Sequence, residues 1–435
     1  MGAAVFAGLV VVFALVAWRA ADFLHGTLNV GNPVEQLNPP AGSVAWKMQH
    51  GQQVNLLLLG YGGAENDAPY LTDSLMTLRL DPNTHQALEV SVPRDLRAEY
   101  KNVDGQPVDD KINTVYSNAM NVKSGDKDRG GKAAIQVMSQ VTGLQYDGYV
   151  AVDFKAFRDV VDALGGVDVC LDSALDDNQY PNYSDGYVKG GVHFKAGCQH
   201  VNGEQALEIA RSRHAEQPEQ ASDFARAKRQ QLIISAIKKK ATSVDAITKA
   251  PQLMGALQQD MSTNLSLTDL KAMYNWSKQV NDNSIKRVSI DNTNFVTECT
   301  SGGYALCPID SDYNVLHTYL ANAFVDPNVL KEGAPVQVAN ASASLPEMGN
   351  QVSATLQPLG FKMASPVRTT TRQQSVVYDY SNGKYPQTVR WLSSYFHANV
   401  VTPPAGAAPT PSPPQGGVVV QLGRDFSVRW VGESS

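Results

Sequence analysis

The sequence predicts an α/β protein, a three-layer α/β/α sandwich on a mixed sheet followed by a smaller α/β unit. Three observations carry that expectation. Val54 to Leu59 is apolar at every position but Asn55, the pattern of a strand covered on both faces. Gly148–Val152, Lys155–Leu164, Gly165-Gly166 and Val167–Leu171 read as strand, helix, helix stop and strand, which is a βαβ unit. The 435 residues, 43% apolar and 18% charged, suffice for two well-buried cores.

Taken in order, residues 2 to 18 are apolar or small, with Phe6, Leu9, Val10, Val11, Val12, Phe13 and Leu15 supplying the hydrophobicity. The first charge is Arg19. Seventeen such residues reach the lower limit for spanning a bilayer, so residues 1–20 are expected to be a transmembrane signal anchor with the rest of the chain extracytoplasmic. No basic residue precedes the run, which points to a short basic leader upstream of Met1. Residues 21–50, with Pro33, Pro39 and Pro40, form a juxtamembrane linker. Strands follow at Val54–Leu59, Ser74–Leu80 and Ala87–Pro93, then a helix over Lys132–Val141 and the βαβ unit. Helices are expected near Gly203–Ile209, Ser222–Lys240, Val244–Gln258 and Leu267–Asn281, and a strand at Lys286–Ile290. The smaller unit has strands at 335–340, Ser375–Tyr380 and Val418–Leu422 and helices at Glu347–Leu359 and Tyr385–Phe396. Residues 402–416 are too proline-rich to pack and read as an extended loop.

Cys170 and Cys198 bracket an Asp/Asn/Tyr/Gly-rich stretch, and Cys299 and Cys307 bracket a short loop. Neither spacing fits a zinc site. Two local disulfides, Cys170–Cys198 and Cys299–Cys307, are the simplest assignment in an exported chain, each stabilising by roughly 2–4 kcal/mol. Four free thiols are the alternative.

Arginines carry the chemistry. Arg94 ends a β-rich run, Arg211 and Arg213 flank Ser212, and Asp223, Arg226, Arg229 and Gln230 follow on a helix, with Asp223, Arg226 and Gln230 on one face. Several guanidinium forks at one site match a multiply charged oxyanion, and beside a membrane segment they point to a lipid-linked phosphate. A set of solvated surface arginines is the alternative for each taken singly. The net charge of −6 argues against nucleic acid as a partner, since the counterion-release term is missing. No Gly-x-Ser-x-Gly elbow or His-Glu-x-x-His motif is present, and His214 beside Arg213 is the one histidine of interest.

The order Leu56-Leu57-Leu58-Leu59-Gly60, Thr72-Asp73-Ser74, Ser91-Val92-Pro93-Arg94-Asp95, Lys111-Ile112-Asn113-Thr114-Val115-Tyr116, Val161 to Val167, Asn202 to Leu207, Arg211-Ser212-Arg213 and Asp223…Arg226…Arg229-Gln230 resembles the LytR-CpsA-Psr family. The resemblance covers roughly residues 51–328, and a weaker one, to the LytR C-terminal domain, covers roughly 334–428. It implies a membrane-anchored enzyme that moves a glycopolymer from a polyprenyl-pyrophosphate carrier onto a peptidoglycan sugar hydroxyl, with membrane lipid as a further partner. By the same resemblance Asp73, Arg94, Arg211 and Arg213 are catalytic, and Lys111, Asp223, Arg226, Arg229 and Gln230 surround the substrate. Asp73 would also bind Mg²⁺ (or Mn²⁺). Pyrophosphate hydrolysis would be a side activity.

The chain departs from the family pattern at Leu71, where an arginine is common, and at Gly60-Tyr61-Gly62-Gly63, where an acidic residue is usual. Glu65 or Asp67 could complete a metal site. Leu75, Met76, Phe154, Phe157, Val160, Leu232, Ile233 and Ile237 are candidates either for a prenyl groove or for plain core. Two other functional classes compete with the transferase: a non-enzymatic membrane-bound regulator (a transcriptional attenuator) and a wall-glycan binding module in the C-terminal unit.

Overall fold

The computed structural model describes residues 38–431 except 64–67, 103, 121–125, 183–185, 222, 242–260, 281–283, 293, 300–303, 311, 343–345 and 404–415. The expected anchor at 1–20, most of the linker, the helix at 244–258, Glu65, Asp67 and most of the 402–416 loop lie outside the described residues. Among the described residues no helix is long and apolar enough to cross a membrane. The chain forms two compact units, one comprising residues up to 138 and 145–289, the other 139–144 and 290 onward.

The first unit is built on a six-stranded mixed sheet. Its first strands are β1 (Val54–Tyr61), β2 (Thr72–Asp81) and β3 (Gln86–Val92), an antiparallel meander. A hairpin, β4 (Arg97–Lys101) and β5 (Pro107–Lys111), follows, and β6 (Gly148–Asp153) then returns parallel to β1. After β6 come β7 (Val167–Leu171), a short hairpin of β8 (Leu175–Asp177) and β9 (Val192–Phe194), and β10 (Gly197–Val201), which pairs with β7. Strands β11 (Met261–Thr263) and β12 (Ile285–Ser289) complete the sheet in the order β11-β6-β1-β2-β3-β12. The expectation of a mixed sheet is met, while both small hairpins went unforeseen.

Side-chain alternation shows the three layers. Leu56, Leu58, Met76, Leu78, Val150 and Val152 point to one face, where they share a core with Phe157 and Val160 of the helix Phe154–Ala163, Leu207 of Gly203–Arg211, Ile233 and Ile237 of Asp223–Ala241, and Leu270 and Met273 of Leu267–Ser277. Leu57, Leu59, Leu75 and Tyr149 point to the other face and are equally buried. Tyr149 there packs so tightly on the helix Lys127–Thr142 that a Cβ on Gly131 would lie 2.2 Å from its ring. Coverage on both faces is why β1 is apolar at nearly every position.

The helices start where side chains cap them. Asp153 accepts a bond from Ala156 N at 2.7 Å and opens the helix Phe154–Ala163 directly at the end of β6. Asn202 and Gln205 form a capping box for Gly203–Arg211. Gly203 is obligatory for another reason: a Cβ there would sit 2.3 Å from the Arg158 carbonyl oxygen, so its absence lets the two helices touch.

Both expected disulfides are present, Cys170–Cys198 across the directly opposed pair of β7 and β10, and Cys299–Cys307. The second unit carries a six-stranded sheet, in which Pro335–Asn340 pairs in parallel with Val418–Leu422, as the smaller α/β unit requires. The boundary expected between 328 and 334 lies inside this unit. Within it Glu332 accepts from the backbone N–H groups of Gln387 and Thr388 at 2.9 and 2.8 Å, at the start of the helix Pro386–Phe396.

One buried pair gives the sheet a pH dependence. Glu89 of β3, 3% exposed, accepts from Arg287 Nε of β12 at 3.0 Å, and burial, partly offset by Arg287, pushes its carboxyl up to about 7. A carboxyl whose folded pKa lies above its unfolded value binds more protons in the folded state, so its contribution is full below about 4.5 and is lost as pH rises through about 7. Thermal melts should therefore show the stability of wild type relative to Glu89→Gln falling between pH 5 and pH 7.5; a pH-independent difference would place the Glu89 pKa at its ordinary value.

Candidate active site

Four strands, β1, β6, β3 and β12, run in one direction, and their carboxyl ends open onto a crevice, the usual ligand position in an open α/β sheet. A cleft of about 250 Å³ lies there, lined by Asp73, Arg94, Phe154, Pro181, Arg211, Arg213, His214 and Arg226. Three segments far apart in the chain bring these residues together.

The first is the β2–β3 pair. Its antiparallel register ends at Leu75 opposite Val92, and continuing it sets Asp73 against Arg94. The β1–β2 ladder steps from Gly60↔Ser74 to Tyr61↔Thr72, which leaves Asp73 as the extra residue of a bulge. A bulge of this kind re-aims a side chain, here out of the ladder and into the cleft. Arg94 Nη1 lies 2.5 Å from Asp73 Oδ1, and Arg94 Nε lies 3.5 Å from Asp95 Oδ2. Burial alone would lower the Arg94 pKa, but its bonds to Asp73 and Asp95 outweigh that and raise it.

The neighbouring motif proves to be a brace. Lys111 Nζ pairs with Asp95 Oδ1 at 2.8 Å, and Lys111 is absent from the cleft lining. Thr72 Oγ1 donates to Asn113 O, and Asn113 N donates to Arg94 O, at 3.2 and 3.3 Å. Lys111, expected beside the substrate, thus stands outside the described cleft lining and pairs with Asp95, which also contacts Arg94.

The second segment is Arg211-Ser212-Arg213-His214. Arg211 is the last residue of its helix, and the chain turns extended at Ser212, so both arginines face the cleft as their spacing predicted. The Arg211 guanidinium carbon lies 4.2 Å above the centre of the Phe154 ring and 5.5 Å from that of Tyr180, in cation–π range, with Nη1 3.4 Å from the Tyr180 hydroxyl. Asp177, at the end of β8 and fully buried, accepts from Ser212 Oγ at 2.7 Å and from Arg213 N and His214 N at 3.1 Å each. Sequence reasoning missed Asp177; the adjacent acids Asp176 and Asp177 at the edge of the Cys170–Cys198 stretch were the available signal.

The third segment is the helix Asp223–Ala241. Arg226 lines the cleft as expected, whereas the side chains of Asp223 and Gln230 lie outside the described residues. Arg229 is a correction. It is 2% exposed and donates from Nε to Ile209 O at 3.0 Å, from Nη1 to Gln220 O and Oε1 at 2.8 and 2.9 Å, and from Nη2 to Ser212 O at 2.6 Å. Burial, with Arg226 beside it, pushes its pKa down to about 10, which leaves it charged at neutral pH. Arg229 supports the turn that bears Arg211 and Arg213 and does not enter the cleft. The candidate groove residues Met76, Phe154, Phe157, Val160, Ile233 and Ile237 share the core on one sheet face, with Leu232 partly buried against it, while Leu75 is on the other face. Phe154 alone among them also lines the cleft.

Asp73 is the single carboxylate among the described lining residues, facing four arginines. Among the described residues no three His, Cys, Asp or Glu gather as metal ligands. The site is thus a strongly cationic cleft at the crevice of an α/β sheet. The chain belongs to the LytR_cpsA_psr family, whose model matches residues 12–313. It is 28% identical over 244 residues to the polyisoprenyl-teichoic acid–peptidoglycan teichoic acid transferase TagU of Bacillus cereus (strain AH820), spanning 55% of this chain and 71% of that one. It is 30% identical over 220 residues to the TagU of Oceanobacillus iheyensis, spanning 51% and 61%. The crystal structure of B. subtilis TagV matches with 24% identity and a TM-score of 0.44, covering 62% of this chain and 97% of that chain.

The two kinds of arginine should separate in stability measurements. Arg229→Ala strands several buried carbonyl oxygens and should cost about 3–5 kcal/mol in urea unfolding. Arg213→Ala, at an exposed position, should stay within about 0.5 kcal/mol of wild type. Equal losses would show that Arg229 is no more structural than its neighbours.

Proposed function

We propose that this chain is a phosphotransferase that moves a glycopolymer from a polyprenyl-pyrophosphate carrier onto a peptidoglycan sugar hydroxyl, forming a phosphodiester. The observation that carries the reading is the convergence of Arg94, Arg211, Arg213 and Arg226 on one cleft beside a single carboxylate. Family membership and the transferase names of the relatives support it. In such a transfer the sugar hydroxyl oxygen attacks the polymer-bearing phosphorus, the bond to the bridging oxygen breaks, polyprenyl phosphate leaves with the electron pair, and the hydroxyl proton ends on the departing phosphate or in solvent. The protein has little covalent work to do; it must neutralise the diphosphate and place the nucleophile in line. Arg211, stacked on Phe154 with a contact to Tyr180, is already oriented and loses little freedom when it binds. Water in place of the sugar would make pyrophosphate hydrolysis a side activity.

The donor set also fits Mg²⁺ (or Mn²⁺), held by Asp73 together with phosphate oxygens, since a hard cation of this kind needs only one or two carboxylates when phosphates supply the rest. Once bound, it would add to the neutralisation of the diphosphate charge. The apolar segment at residues 2–18 would hold the unit at the outer face of the membrane, where both the lipid-linked donor and the wall acceptor are found.

Transfer from a synthetic polyprenyl-pyrophosphate glycan to peptidoglycan strands tests the reading. Arg211→Lys keeps the charge but loses the fork, and should lower the rate roughly 10²–10³-fold with an unchanged melting temperature. Wild-type rates in a folded Arg211→Lys, Arg213→Lys double variant would reject the clamp. Asp73→Asn should both slow transfer and abolish its dependence on Mg²⁺; an unchanged metal titration would move the cation elsewhere.

A further inference from the structure

His214 is the cleft residue that charge neutralisation leaves without a role. It lines the cleft together with Asp73, Arg94, Arg211, Arg213 and Arg226, and it is exposed there. The backbone is pinned on both sides of it. Asp177 takes the amides of Arg213 and His214 at 3.1 Å each, Ala215 is buried in the core of the first unit, and Glu216 N donates to Asp176 O at 2.8 Å. The main chain at His214 is thus fixed from outside the cleft. Among the described residues its imidazole makes neither a hydrogen bond nor an ion pair.

Attack by a sugar hydroxyl releases a proton, and few lining groups can take it. A guanidinium carries five N–H donors, has no acceptor and stays charged, which excludes the four arginines. Phe154 and Pro181 have no side-chain acceptor. Asp73 and His214 remain among the described lining residues. Asp73 Oδ1 already accepts from Arg94 Nη1 at 2.5 Å, and the cation of the proposed reaction would draw on the same carboxylate. A neutral imidazole accepts a proton at one nitrogen and can then release it, which suits a group that must pass the proton on.

We infer that His214 is the catalytic base that deprotonates the attacking hydroxyl. Its unprotonated ring nitrogen takes the hydroxyl proton as the new O–P bond forms and the bond to polyprenyl phosphate breaks with its electron pair. The imidazolium then gives the proton to the departing phosphate or to solvent. The charged groups that share the cleft with it are Asp73 of β2, Arg94 beyond β3, Arg211 and Arg213 of its own segment, and Arg226 of the helix Asp223–Ala241. The inference rests on the transferase reading and adds to it the residue that moves the proton.

It is tested with the full chain and a synthetic polyprenyl-pyrophosphate glycan, by transfer to peptidoglycan strands and by hydrolysis with water as the nucleophile. His214→Gln should lower kcat roughly 10²-fold, the lower end for a positioned base because the proton moves late in a loose transition state, with donor KM and melting temperature unchanged. Wild-type kcat should fall toward acid, where a protonated imidazole cannot act, and His214→Gln should lose that fall. Added imidazole should restore part of the rate to His214→Ala and none to Arg211→Lys. A His214→Gln variant with wild-type kcat, or one changed only in donor KM, would overturn the base and leave the transferase standing. Hydrolysis that requires His214 in a protein unable to transfer would keep the base and overturn the transferase. A wild type that neither transfers nor hydrolyses would sink both.

Discussion

Four guanidinium groups repel one another, and no ligand holds them while the cleft is empty. The turn at Ser212 must therefore be fixed by groups outside the cleft, and it is fixed from two sides. Asp177 takes the hydroxyl of Ser212 and the amides of Arg213 and His214, and Arg229 takes the carbonyls of Ile209 and Ser212. Both clamps are buried, Asp177 fully and Arg229 at 2% exposure, so water does not compete for their bonds. The backbone that carries Arg211 and Arg213 is set before any substrate arrives, which is the preorganisation an electrostatic site requires. The rest of the first unit serves this arrangement: β8 exists to place Asp177, and the long helix from Asp223 carries one arginine to the cleft and another beneath it.

The opposite wall is fixed by a different device. Asp73 and Arg94 meet because an antiparallel register places them across from each other, and the bulge turns Asp73 outward. Their ion pair is half-exposed, with side chains 36% and 45% accessible, so solvent screens it and it contributes little to stability. A pair this exposed can exchange its partners at little cost. Behind it Lys111 pairs with Asp95, which also contacts Arg94.

Much of this was legible in the sequence, and the limits have physical causes. The sheet could be read because β1 is buried on both faces and β6 is followed by a capped helix and a Gly-Gly stop, all local signals. The cleft arginines could be read because the i, i+2 spacing around Ser212 survives whether Arg211 ends a helix or begins a strand. Arg229 could not be told from its neighbours because residue type and spacing are the same for a ligand arginine and a brace, and only burial and the partner atoms separate them. Spacing put Asp223, Arg226 and Gln230 on one helix face, and Arg229, three residues beyond Arg226, faces inward instead. Asp177 escaped because its role depends on three donors that lie more than thirty residues away in the chain.

The departures from the family pattern take on a physical meaning in this geometry. Where an acidic residue and an arginine are usual, the chain has Gly62-Gly63 and Leu71, and the described wall beside Asp73 is correspondingly short of charge. Among the described lining residues, one carboxylate against four arginines leaves a strongly cationic cleft. Gly63 has φ of 85°, and a Cβ there would lie 3.1 Å from Asp153, the cap of the helix that opens on Phe154. Glycine at this point therefore keeps the end of β1 close to the end of β6 and the floor of the cleft low. A side chain added there would be strained by the left-handed backbone and would press on the capping aspartate.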